Sequence, residues 1–96
     1  MLETFTAGTF EPRTGETFVL ELGEHRLGTE LGEVAVVGPG GESGRAQFSL
    51  MFLGPPEPVW SQGTYRVTNE ALGTFDLFLV PLGPENGRMR YQAIFT

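Results

Sequence analysis

The chain has no cysteine and no lysine, and only one histidine (His25), one aspartate (Asp76) and one tryptophan (Trp60). Without a thiol there is no disulfide, no thiolate nucleophile and no cysteine-ligated metal. A single histidine cannot build a two- or three-histidine zinc site, even with Glu21, Glu24, Glu30 or Glu33 beside it, and the aspartate-rich loop of a calcium site is missing. No metal and no cofactor is therefore expected. Positive charge is scarce too: 6 basic residues face 12 acidic ones, for a formal net charge of -6. The arginines (Arg13, Arg26, Arg45, Arg66, Arg88, Arg90) are scattered, so the basic footprint that neutralises phosphates is absent and no nucleic acid is expected as a partner. Anionic membrane surfaces are disfavoured for the same reason. No apolar run approaches the ~20 residues of a spanning helix, and Met1-Leu2-Glu3-Thr4-Phe5 carries no basic and apolar leader pattern. A cytoplasmic location, without a membrane partner, is the expectation.

What the chain does have is alternation. Phe48, Leu50 and Phe52 alternate with Gln47, Ser49 and Met51, and Tyr65 and Val67 alternate with Thr64, Arg66 and Thr68. Phe75, Leu77 and Leu79 follow, and then Met89, Tyr91, Ala93 and Phe95. A period of two over short runs means strands. Thr17 to Leu22 reads the same way, with Phe18, Leu20 and Leu22 on one face, and a second strand runs from His25 or Arg26 to about Val37. Gly28 and Gly32 within that strand predict a bulge or bend. No window shows helical spacing, and with 96 residues the chain is one domain, 1–96. The expected fold is all-β: a small antiparallel barrel or sandwich of six or seven short strands, meander-like in its second half.

Residues 1–14 read as an N-terminal arm that brings Phe5 and Phe10 to the sheet. Gly38 to Gly44 reads as a flexible hairpin loop and Pro55-Pro56-Glu57-Pro58 as a stiff connection. Glu70-Ala71-Leu72 is short enough to force its flanking strands into a hairpin. Pro81 to Gly87 reads as a turn ending in Asn86-Gly87.

Several strands are apolar on both faces. Met51 and Leu53 lie opposite Phe48, Leu50 and Phe52; Phe78 and Val80 lie opposite Phe75, Leu77 and Leu79; Ile94 lies opposite Ala93 and Phe95. A half-solvated antiparallel strand is polar outside, so either the N-terminal arm or another subunit covers this second face. Met51, Leu53, Phe78, Val80 and Ile94 are thus the candidate interface, joined by edge strands that could pair in trans. Trp60, Tyr65 and Tyr91 are the candidate anchors for a partner, or for a small apolar or sugar-like ligand at a barrel mouth.

Catalytic motifs fail on their spacing. The Gly38 loop has no lysine and is followed by a strand, unlike a phosphate cradle. His25, Asp76 and Ser43, Ser49 or Ser61 supply the residue types of a triad without a nucleophile elbow. No pair of glutamates is marked for acid–base work.

Phe48-Ser49-Leu50, Phe52-Leu53-Gly54-Pro55, Gln62-Gly63-Thr64-Tyr65-Arg66, Leu77-Phe78-Leu79-Val80-Pro81 and Met89 to Phe95 resemble a small bacterial family carried as a domain of unknown function. Phe10 and Gly15-Glu16-Thr17-Phe18 are similar to its N-terminal pattern. Its members are often encoded near phage-tail-collar-like proteins, so the resemblance implies a structural or assembly role. The expected function is accordingly non-enzymatic: a structural, assembly or protein-interaction domain, whose partner is itself, as a homodimer or higher oligomer, or another protein. A ligand-binding barrel with an aromatic mouth is the alternative.

Overall fold

The computed structural model describes residues 5–38 and 47–95. It contains a one-turn helix α1 (Ala7–Phe10), a 3-10 turn (Glu11–Arg13), and six strands: β1 (Thr17–Leu22), β2 (His25–Gly38), β3 (Gln47–Gly54), β4 (Gly63–Asn69), β5 (Gly73–Glu85) and β6 (Arg88–Phe95). All neighbours are antiparallel, in the order β1-β2-β3-β6-β5-β4, and β4 returns to β1 through Val19↔Thr68, Leu20↔Val67 and Glu21↔Arg66 to close a barrel. The expected small all-β barrel is what the chain forms. Among the described residues no helix is long and apolar enough to cross a membrane.

Alternation fills the interior. Phe18, Leu20, Leu31, Phe48, Leu50, Phe52, Val67, Leu79 and Tyr91 are fully buried there. Gly32 sits at the register shift between Leu31 and Glu33, the bulge that its glycine predicted, and the shift lets Val34 pack back against the core. Each mouth has its own stopper. At one, Phe10 lies 6.4, 6.0, 6.2 and 5.7 Å, centroid to centroid, from Phe18, Phe48, Phe75 and Phe95, with Phe5 edge-on to Phe75 at 5.1 Å. At the other, Trp60 packs against Tyr65 at 5.3 Å.

Three expectations change. Pro81 to Gly87 is no simple turn: β5 continues to Glu85 and only Asn86-Gly87 reverses the chain, both at positive φ (54° and 79°). Two prolines are tolerated there because this stretch ladders with β6 alone, so the missing N–H groups fall on an unpaired edge, and Gly83 at φ 100° absorbs the register shift after Pro81. Phe5 and Phe10 of the N-terminal arm enter the barrel end rather than cover the outer face, and residues 1–4 of the arm lie outside the described residues. Closure also removes the edges of the belt, leaving edge positions only on the overhanging hairpin ends. Of the glycine-rich loop, Gly38 ends β2 opposite Gln47, and the rest lies outside the described residues.

Candidate interaction face

Because inward positions of β3, β5 and β6 are filled by rings and leucines, the residues between them must point out. Phe78 is 55% and Ile94 64% exposed; Met51, Leu53 and Val80 are half-buried. The register gathers them. Met51 pairs with Gln92, which pairs with Val80, and Ser49 pairs with Ile94. The β5–β6 ladder starts at Val80↔Gln92, so Phe78 and Ile94, one alternation farther along each strand, sit where the two strands part. The result is a wall with an uncharged centre.

Its border is charged and mostly self-paired. Arg88 Nη1 meets Glu30 Oε1 at 2.9 Å, and the Arg90 guanidinium donates to the carbonyls of Leu82 (3.2 Å) and Gly83 (3.3 Å) with Glu85 at 3.9 Å. Leu53 is less available than its neighbours. A Cβ on Gly32 would stand 2.7 Å from Leu53 Cδ1, so the leucine lies flat on the bulge. Gly32, Glu33, Met51, Leu53, Glu85 and Arg90 line a notch of about 160 Å³ at that corner.

Elsewhere the outer surface is mixed: Leu22, Val36 and Val59 are more than half exposed, singly, beside strips that are polar. Across β2, β1, β4 and β5 the register lines up Arg26, Glu21, Arg66 and Asp76, a row of alternating sign. The next row carries Val19, Thr68 and Thr74, with the two threonine hydroxyls 3.1 Å apart. These two rows are thus largely dressed for water, and the wall is not.

The aromatic trio lies at the opposite mouth from the arm. Tyr91 is fully buried and Tyr65 4% exposed. Tyr91 Oη accepts from the Trp60 backbone N–H at 3.1 Å, and the Tyr65 hydroxyl donates to the Ser61 carbonyl. Both phenols hold the Trp60–Ser61 segment across the barrel end. Trp60 alone is part-exposed.

The residues considered for catalysis are dispersed. His25 is exposed at the start of β2, opposite Leu22, Asp76 is exposed on β5 opposite Arg66, and Ser49 is on the wall beside Ile94. Ser43 lies outside the described residues. No group of three or more His, Cys, Asp or Glu able to hold a metal occurs among the described residues.

Sequence reasoning missed one polar constellation. Asn69, 3% exposed, donates through Nδ2 to Glu16 Oε1 (3.2 Å) and the Thr17 carbonyl (3.0 Å), and its Oδ1 accepts from the Ala71 and Leu72 N–H groups (3.0 Å each). Glu16 Oε2 also holds Arg13 Nη1 at 3.1 Å, beside a cleft of about 500 Å³. An asparagine directly before a three-residue turn was the available signal, since its short amide caps such turns.

A family model described as "Domain of unknown function (DUF6916)" matches residues 5–95. No curated protein and no solved structure matches the chain.

Proposed function

The chain belongs to the family described as a domain of unknown function (DUF6916), and from that premise we propose that it is a non-enzymatic protein-interaction domain of the cytoplasm that works by docking its apolar wall. One observation carries this reading: Phe78 and Ile94 stand more than half exposed and gathered beside Val80 and Met51, whereas the row of Arg26, Glu21, Arg66 and Asp76 on the barrel's other side is charged. Scattered exposed apolar residues need no explanation, but a gathered set with an uncharged centre does. The partner is a second copy, giving a homo-oligomer. The resemblance to proteins encoded near phage-tail-collar-like genes fits a structural part of a phage-tail-like assembly.

Light scattering over a concentration series tests it. A chain carrying a net charge of -6 repels its own copies, so association through an uncharged wall should strengthen as salt is raised. A strict monomer at high concentration in both low and high salt sinks self-association.

A further inference from the structure

The arm from Phe5 to Arg13 meets the barrel through one short link, Thr14-Gly15-Glu16. The closed ring of six strands contains no residue of the arm. The arm's turns satisfy themselves: the Thr6 N–H donates to Thr9 Oγ1 (3.0 Å), the Thr9 N–H to the Thr6 carbonyl (2.9 Å), and the Thr14 N–H to the Glu11 carbonyl (3.3 Å). These bonds travel with the arm if it leaves. What receives it is a socket of four rings from four strands, Phe18, Phe48, Phe75 and Phe95, with Phe10 fully buried among them. The link is latched by Arg13 on Glu16, by Glu16 on Asn69, and by the Gly15 N–H donating to the Leu31 carbonyl at 2.8 Å, with Gly15 at φ 92°. The latch is imperfect, because Arg13 Nε is buried without a hydrogen-bond partner among the described residues.

We propose that the arm is an exchangeable plug, and that the aromatic socket takes the Phe5–Arg13 arm of a second copy of this chain. An empty socket exposes four rings to water, so it must be refilled. The short tether gives the chain's own arm an effective concentration on the order of mM. The plug therefore stays in its own barrel when the protein is dilute and crosses to a neighbour where copies are held close. Reciprocal exchange between two copies closes into a two-fold dimer, and one-way exchange passes the plug along a ring or chain of barrels. It uses the barrel end rather than the wall, and does not depend on the wall reading.

Deleting Thr14 and Gly15 from the full chain shortens the link so that the arm cannot reach its own socket. In a Phe78→Ser/Ile94→Ser chain, which lacks the wall contact, the expected result is oligomers whose arm amides are as protected from hydrogen exchange as before the deletion, and adding Phe10→Ser abolishes these oligomers. A folded monomer with freely exchanging arm amides overturns the proposal. Should the deletion unfold the chain, the unaltered protein answers with an excess of a fluorescent peptide of residues 5–14. Saturable uptake at the arm's own opening rate, read by anisotropy and lost with the Phe10→Ser peptide, supports exchange. No uptake over many opening times overturns it. Uptake should persist in a Phe78→Ser/Ile94→Ser chain, which separates failure of the plug from failure of the wall.

Discussion

Replacing Phe78 and Ile94 together by serine removes the two most exposed apolar side chains of the wall while leaving the barrel interior intact. Fully burying a phenylalanine or isoleucine contributes about 1.5–3 kcal/mol. Phe78 has 55% of its surface still exposed, so docking can gain about 0.8–1.7 kcal/mol from it; Ile94, at 64%, offers about 1.0–1.9 kcal/mol. In a two-fold dimer each copy contributes both, which sums to roughly 3.6–7.2 kcal/mol. Every 1.4 kcal/mol is tenfold in Kd, so the double variant should weaken the dimer by at least about 300-fold. The isolated fold should hardly notice, within about 1 kcal/mol, because neither side chain is in the core. Sedimentation or light scattering across a dilution series measures the first quantity and urea unfolding at monomeric concentration the second. An unchanged Kd refutes the wall as the contact; a loss of fold stability beyond about 2 kcal/mol shows the two residues to be structural.

Two further substitutions probe the ends of the barrel. Asn69→Ala strips the buried amide that binds Glu16, Thr17 and the β4–β5 turn, leaving several groups unpartnered, and should lower stability by about 2–4 kcal/mol in urea unfolding. Tyr91→Phe removes the acceptor of the Trp60 N–H; it should cost about 1 kcal/mol and shift the emission of Trp60, the only tryptophan.

Period-two alternation marked all six strands, because each is made of a local pattern that one buried face imposes, but it stopped β5 at Val80 where the strand runs on to Glu85. β1 spans Thr17–Leu22 as the alternation marked it, although Leu22 turns out 54% exposed where the chain enters the Gly23 turn. Closure was not legible. It rests on β1 meeting β4 through three residue pairs far apart in sequence, a property of strand tilt and shear that no local window carries. The arm hid its helix because a single turn of four residues, Ala7–Phe10, has no period to read. The wall was legible as residues that break the alternation, whereas Arg13, Glu16 and Asn69 are ordinary polar residues until three segments bring them together.

Barrel closure narrows what the molecule can use. The belt is laddered on both sides, which removes strand addition along it as a mode of recognition. The lumen is packed with rings and both mouths are stoppered, one by Phe5 and Phe10, the other by the segment that Tyr65 and Tyr91 hold. Recognition is then left to the outer walls and to whatever can be unplugged. Of the two outer halves, the Arg26–Glu21–Arg66–Asp76 row sets opposite charges side by side, so a partner would have to desolvate them for little return. The wall of Met51, Phe78, Val80 and Ile94 asks no such desolvation at its centre. The same strands carry both halves, since β5 presents Asp76 and Phe78 two residues apart. A strand able to place an aspartate outward has no steric reason to place a phenylalanine at the next outward position, a contrast within one strand that the proposed docking would explain.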